Sequence, residues 1–447
     1  MDAGLQRVLE EQSAQPLPSL TARDIRVPSI EGIATALVGM RRVGKSYLLF
    51  QQMAELLEAG VPRSSMLFLN LEDDRLGGPT MQTLDDALEY LFRTGPERHA
   101  QTAYLFFDEI QVVPSWEQFI LRVLNTENIR VFVTGSSAKL LSTEIATGLR
   151  GKSTAVEVLP FSFAEYLRHA GFALTGEPVG AAKRSEMESA FDRFLHVGGF
   201  PGVQNLPDVD RTRMLQDYVE LVIFRDVVER HDVGNLVALK QLTSRLLSGF
   251  AREFTVNSIL KMMREQGIAV GKDTLHSYLE HLVDARLIYT VSIRRASYRA
   301  RQTNPRKAYA VDPGLAISVA HPSVEDTGPL LENAVYLELR RRYGRLHTDA
   351  VSYFSSKAGG VDFVVDADGA PPQIIQASMS LSNPLTRERE VRGAVAAMSE
   401  LDVHESTIVT LYERDTIETD AGTIRVEPAW RWMIGSGDGA RVPSVQS

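Results

Sequence analysis

Residues 33–46 read Ile33-Ala34-Thr35-Ala36-Leu37-Val38-Gly39-Met40-Arg41-Arg42-Val43-Gly44-Lys45-Ser46, an apolar run that breaks into a glycine-bounded basic loop. The helical pattern YLLFQQMAELLEAG follows and ends at Gly60. This order predicts a buried strand, a tight loop and a helix. The loop fits GxxxxGK[ST] at every fixed position and lies in the strand, loop, helix context that gives the motif its meaning. In such a loop, backbone N–H groups and the helix N-terminus surround phosphate oxygens, and Gly39 and Gly44 permit the tight path. Lys45 neutralises the β and γ oxygens, and Ser46 offers its hydroxyl to Mg²⁺. Gly39, Met40, Arg41, Arg42, Val43, Gly44, Lys45, Ser46 and Tyr47 are therefore the expected ATP-binding residues, with Ser46 also a metal ligand.

Outward from this loop, SMLFLNLEDD (65–74), TAYLFFDEIQ (102–111) and Arg130–Thr134 are short apolar runs, as in strands covered on both faces. Strands alternating with helices predict an α/β fold with a parallel, doubly wound sheet and ligands at the carboxyl ends of its strands. Leu105-Phe106-Phe107-Asp108-Glu109 closes in two carboxylates, the Walker B arrangement. Asp108 is expected to hold Mg²⁺ through water and Glu109 to polarise the attacking water. Thr134-Gly135-Ser136-Ser137 ends the next strand, where Ser136 can reach the γ-phosphate or simply cap a turn. Asn70 ends the second strand and either restrains Glu109 or makes ordinary turn contacts, the latter being the commoner outcome.

The pattern divides the chain into a nucleotide-binding core (1–160), a helical lid (161–235), a winged helix (236–320), an α+β unit (321–434) and a disordered tail (435–447). The winged-helix reading rests on LKQLTSRLLSGFA, NSILKMMREQ and KDTLHSYLEHLVDA followed by strand-like LIYTVSI and AYAVD. Between those two strands lies a basic stretch containing Arg294, Arg295, Arg299, Arg301, Arg306 and Lys307 and no acidic residue. With Lys272, Thr274 and His276 of the third helix it makes a candidate surface for double-stranded DNA or for a protein partner.

The α+β unit carries Glu332, then Asp362 in GVDFVV, then Gln376-Ala377-Ser378 after Ile374-Ile375. That is the spacing of a restriction-endonuclease-like core, whose carboxylates bind Mg²⁺ and whose third motif reads Glu-x-Lys. Gln376 and Ser378 replace the glutamate and the lysine, and Lys357 stands outside the motif, so the unit is expected to keep the fold without the cleavage. Arg340-Arg341-Arg342 and Arg387-Glu388-Arg389 are either nucleic-acid contacts or, more commonly, a salt-bridged helix surface.

The chain has 447 residues, 44% apolar and 23% charged, with a net charge of −9. Zero cysteines exclude a disulfide framework, a thiol nucleophile and thiolate zinc sites, and suit a reducing cytoplasm. The N-terminal segment lacks a signal-peptide core and no stretch of about 18 apolar residues occurs, so a soluble chain without membrane contact is expected. His276 and His281 are five apart and make no ligand pair on a helix.

With these motifs in view, the chain resembles a family of bacterial and archaeal AAA-type P-loop ATPases that carry a winged helix and a restriction-endonuclease-like C-terminal domain. The resemblance runs from about residue 30 to about residue 410 and rests on GMRRVGKS, FLNLEDDRL, LFFDEIQVVPSWE, TGSSAKLL, LRGKSTAVEVLPFSFAEYL, GGFPGV, FRDVVERHDV, YAVDPGL, LENAVYLELRRR, VDFVV and IQASMSLSNPLTRERE. It implies a nucleotide switch of AAA or STAND type and carries over the roles of Lys45, Ser46, Asp108, Glu109 and Ser136. Where the family usually has Gly-Arg this chain has Gly151-Lys152, which makes Arg150 the candidate phosphate-sensing arginine. Sites of this type often lie between protomers, so a homo-oligomer borrowing Arg150, Arg225 or Arg230 is one arrangement and a resting monomer another. Three activities fit: an ATP-hydrolysing switch, a nucleotide-gated binding module with little turnover, and an ATP-gated nuclease disfavoured by Gln376 and Ser378.

Overall fold

The computed structural model describes residues 2–95, 100–136, 148–172, 180–294, 305–320, 327–344, 350–366 and 369–435. Two units divide at Leu159 and Pro160.

The first unit begins with an amphipathic helix, α1 (Ala3–Ala14), capped by the Asp2 side chain and burying Leu5, Val8 and Leu9. The strand expected at 33–38 is β1 (Ala34–Gly39), buried at every position. It leads through the glycine loop into α2 (Lys45–Glu58). Then come β2 (Met66–Asn70), α3 (Met81–Thr94), β3 (Ala103–Asp108), α4 (Trp116–Thr126), β4 (Ile129–Ser136) and β5 (Ser153–Glu157). All five strands are parallel in the order β2-β3-β4-β1-β5. Such a sheet needs both faces covered, which is why its strands read as unbroken apolar runs. Phe106 and Phe132 stack across β3 and β4 with centroids 4.9 Å apart. The edge strand β5 went unpredicted because Ser153-Thr154-Ala155-Val156-Glu157 is half-buried throughout and carries no apolar run.

In the second unit, α5 (Phe163–His169) starts in a capping box, with Ser162 N–H donating to Glu165 and Glu165 N–H donating to Ser162 Oγ at 3.1 Å. Helices α6 (Ala181–Val197) and α7 (Asp208–Val222) follow, and α7 continues into a π-helical turn, Ile223–Val228. Next come α8 (Leu236–Ser248), β6 (Glu253–Phe254), α9 (Val256–Glu265), α10 (Lys272–Asp284), β7 (Ile288–Ser292) and β8 (Arg306–Ala310). The three strands pair antiparallel in the order β6-β8-β7, so the two strands expected from LIYTVSI and AYAVD form a hairpin.

A short helix, α11 (Pro313–Val319), is capped by Asp312, with Pro313 at its first position. Asp312 is 1% exposed and accepts from Leu315 N at 2.9 Å and from Gly199 N at 2.6 Å. A side chain at Gly198 would place its Cβ 2.0 Å from the Asp312 carboxylate. The GGFPGV and YAVDPGL segments, more than a hundred residues apart, thus form one joint. Helix α12 (Gly328–Tyr343) then precedes β9 (Val351–Ser355), β10 (Gly360–Val365), β11 (Gln373–Ala377), α13 (Pro384–Leu401), β12 (Glu405–Thr410), β13 (Asp415–Thr419), β14 (Gly422–Pro428) and α14 (Ala429–Ile434). These strands form a mixed sheet in the order β13-β14-β12-β11-β10-β9, and α13 packs on its apolar face through Ala394, Ala397 and Met398. Among the described residues no helix is long and apolar enough to cross a membrane. The tail beyond residue 435 lies outside the described residues.

Candidate functional site

The carboxyl ends of β1, β4 and β3 lie side by side, because β4 separates β1 from β3 in the sheet. The loop after β1 therefore faces the carboxylates after β3 across one strand. Gly39 runs so close to β5 that a Cβ there would sit 2.2 Å from the Val158 carbonyl oxygen. Gly44, at φ 99°, occupies the left-handed region as the residue before α2. Lys45 is 5% exposed and its ammonium donates to the loop carbonyls of Gly39 (3.0 Å) and Met40 (3.2 Å). Arg41 pairs with Glu72 at 3.4 Å, and Tyr47 stands 54% exposed on the first turn of α2.

Asp108 is buried and is hydrogen-bonded by the hydroxyls of Thr134 and Ser46. Burial raises its carboxyl above the usual range, and those two hydroxyls oppose the shift. The Thr134 hydroxyl also accepts from Glu109 N at 3.0 Å, and Glu109 sits in the left-handed region at φ 55°. Gln111 Nε2 donates to Glu109 Oε2 at 2.5 Å, while Gln111 Oε1 is buried without a hydrogen-bond partner. Thr134 and Gln111 thus hold the Asp108-Glu109 pair from two sides. Asn70 does not touch Glu109; its side chain accepts from Glu72 N at 3.0 Å, the turn contact expected as the commoner outcome. The hydroxyl of Ser46 beside the Asp108 carboxylate is a hard-oxygen donor set, which fits Mg²⁺. Ser136 ends β4 opposite Gly39, and its side chain lies outside the described residues. Arg150 is exposed in a turn at φ 50°.

Sequence reasoning missed a clamp on the loop. Arg23 is 7% exposed and donates to Val43 O (3.1 Å) and Leu159 O (2.5 Å), while Gln51 of α2 bonds both its N–H and its carbonyl. An arginine in an irregular N-terminal segment carries no pattern that separates this role from a surface one. Replacing Arg23 with alanine leaves the Val43 carbonyl without its charged donor, and the expected result is nucleotide affinity weakened about 5- to 50-fold at unchanged fold. Titration with a fluorescent ATP analogue reads it, and wild-type affinity rejects the clamp.

The second unit corrects the basic patch. Lys307, a candidate contact for DNA or a protein partner, is turned inward: its Nζ donates to Asp362 Oδ1 at 2.7 Å and to Glu332 Oε1 at 2.9 Å. Arg294 is held by Asp366 and donates its backbone N–H to Tyr353 O at 2.7 Å. Arg306 is half-buried on β8, and Arg295, Arg299 and Arg301 lie outside the described residues. The arginine run on α12 is structural: Arg340 stacks over Tyr289, Arg341 donates to Pro160 O and Phe161 O, and Arg342 bonds Glu338 and Trp432 O. Arg387 and Arg389 pair with Asp415 and Glu390. Glu332, Asp362 and Gln376 do converge, with Gln376 Oε1 accepting from Asp362 N at 2.9 Å and Asp362 Oδ2 from Ala377 N at 3.1 Å. Burial, and next the Asp362 charge, push the Glu332 carboxyl up to about 7. The set does not fit a divalent metal: an ammonium stands between the two carboxylates, and the Gln376 oxygen is spent on a backbone N–H. Among the described residues no group of three or more histidines and carboxylates could hold a metal ion.

An AAA domain matches residues 32–167, and a domain of unknown function, DUF8612, matches residues 188–325. An uncharacterized protein of Methanocaldococcus jannaschii is 30% identical over 419 residues, spanning 92% of this chain and 90% of that one. The chain belongs to the AAA-type P-loop ATPase family. An uncharacterized protein of Haemophilus influenzae is 27% identical over 336 residues, spanning 73% of this chain and 80% of that one. Among solved structures, a Walker-type ATPase of Pyrococcus abyssi is similar at 18% identity and a TM-score of 0.41, covering 64% of this chain and 90% of that one.

Proposed function

We propose that this AAA-type chain is a Mg²⁺-dependent ATP-hydrolysing switch, with the second unit as its output. The observation that carries the reading is the meeting of the Gly39–Ser46 loop, Asp108 and Glu109 around one strand end, with Thr134 bonded to both carboxylate residues.

When bound, Mg²⁺ neutralises charge on the β and γ oxygens of ATP. Ser46 and Asp108 are the residues that would hold it. Lys45 is stored on the Gly39 and Met40 carbonyls and exchanges them for phosphate oxygens, which match its charge better. Glu109 takes the proton of the attacking water as the new O–P bond forms and the bond from the γ phosphorus to the β-bridging oxygen breaks, releasing ADP. Gln111 and Thr134 keep Glu109 oriented for that transfer. An arginine from a second copy is a further element of this reading. Arg230 is 13% exposed and paired with Asp226, whereas Arg225, 58% exposed in a solvent-facing pair with Glu229, joins Arg150 as the donor of choice.

Coupling to a partner is assigned to the second unit, whose 236–310 segment has the helix and strand order of a winged helix. Two of the six candidate cations, Arg294 and Lys307, are engaged within the chain, so phosphate attraction there would rest on Arg295, Arg299, Arg301 and Arg306. The test is steady-state ATP hydrolysis by wild type and Lys45→Ala, with and without duplex DNA, at low and physiological salt. Hydrolysis lost in Lys45→Ala is expected; turnover surviving that change sinks the reading. Stimulation by DNA assigns the output to nucleic acid, and turnover indifferent to DNA at both salts assigns it to a protein.

A further inference from the structure

We propose that Lys307 is the resident cation of the Glu332 and Asp362 site, taking the place a divalent metal would need and fastening β8 to the C-terminal sheet. Side chains alternate along a strand, so Lys307 and Tyr309 leave β8 on the same face. That face meets α12 and β10. Lys307 Nζ bridges Asp362 and Glu332 at 2.7 and 2.9 Å, and Tyr309 OH donates to the same Glu332 oxygen at 2.7 Å. The neighbouring backbone is stitched as well: Asn333, fully buried, accepts from Ala310 N at 2.8 Å and donates to Ala310 O at 3.1 Å. Tyr309 stacks on Tyr336 of α12 with centroids 4.3 Å apart and contacts Phe363 of β10.

The chemistry separates this site from a metal centre. Mg²⁺ demands near-octahedral oxygen ligands at about 2.0–2.1 Å, with several positions left to water or substrate. Here one oxygen of each carboxylate faces the ammonium, Asp362 Oδ2 accepts a backbone N–H, and Gln376 Oε1 is turned onto the Asp362 amide. Lys307 and Glu332 side chains are only 13% and 15% exposed, so little of either is open to an external ligand. The restriction-endonuclease-like spacing therefore survives as a socket for a lysine carried by the preceding three-stranded sheet. Motion of β8 and motion of the C-terminal sheet are tied together by it.

The test uses the full chain without nucleotide, with Mn²⁺ as the probe, in wild type, Lys307→Met, Asp362→Asn, and the triple variant Lys307→Met/Glu332→Gln/Asp362→Asn. Wild type and Asp362→Asn are expected to take up the same amount of Mn²⁺, measured from the free-ion electron spin resonance signal. Lys307→Met is expected to melt roughly 5–10 °C lower, since it strands two buried carboxylates. The triple variant, which removes the Glu332 and Asp362 charges and leaves Glu390 to its partner Arg389, is expected to recover most of that loss. Should Lys307→Met fail to fold, the triple variant is still expected to fold. The proposal is overturned by a Mn²⁺ equivalent present in wild type and absent in Asp362→Asn, by wild-type melting of Lys307→Met, or by a triple variant no more stable than Lys307→Met.

Discussion

Glu109→Gln is expected to lower the ATP turnover number by about 10²- to 10⁴-fold, the range that loss of a positioned general base costs, while nucleotide affinity stays within a few-fold of wild type. The split follows from geometry. Glu109 follows Asp108 at the end of β3, with its backbone in the left-handed region anchored by Thr134 and its carboxylate held by Gln111. Its hydrogen bonds run to Thr134 and Gln111, whereas Lys45 donates to the Gly39 and Met40 carbonyls of the phosphate loop. The amide is isosteric but accepts no proton at neutral pH, so binding survives and chemistry does not. Single-turnover hydrolysis beside equilibrium binding of an ATP analogue reads both terms. Hydrolysis within tenfold of wild type would remove Glu109 from the catalytic assignment and leave the chain a nucleotide-gated binding module.

Asp312→Ala is expected to destabilise the second unit by about 2–6 kcal/mol, from roughly 1–3 kcal/mol for each of the two buried N–H groups, Gly199 and Leu315, that lose their acceptor. The effect carries a pH signature. Burial pushes the Asp312 carboxyl up to about 6 against backbone hydrogen bonds that lower it, so the folded chain retains a proton that the unfolded chain has released. Stability linked to that proton is fully present below the unfolded pKa near 4 and is lost as pH rises through about 6. The loss amounts to roughly 3 kcal/mol. Denaturant unfolding of wild type and variant should therefore show a margin that narrows between about pH 4 and pH 7. A margin that is constant, or that widens with pH, contradicts this account of the joint.

The nucleotide loop, the paired carboxylates and the parallel sheet were readable from consecutive residues. The chemistry of a phosphate loop is local: eight residues between a strand and a helix set the backbone path, and an unbroken apolar run suffices to mark a strand covered on both faces. Thr134 and Gln111 lay inside segments already singled out, yet their partners could not be assigned, because a hydroxyl or an amide has several acceptors within reach of any strand end. Asn70 and the arginines of α12 resolved into turn and packing contacts for the same reason: a polar side chain shows its chemistry in sequence but not its partner. β5 stayed hidden because an edge strand half open to water needs no apolar run.

Lys307 marks where sequence reading stops. In sequence it closes a stretch of cations with no acid among them, and the nearest carboxylates that matter are 25 and 55 residues away. A strand sends alternate side chains to opposite faces, and only the element packed against each face decides which one is dry. α12 and β10 supply that face with two largely buried carboxylates, and such a pair needs a cation far more than a surface lysine needs solvent. The sequence by itself determined a nucleotide-binding AAA core; tertiary packing alone turned the lysine inward onto Glu332 and Asp362.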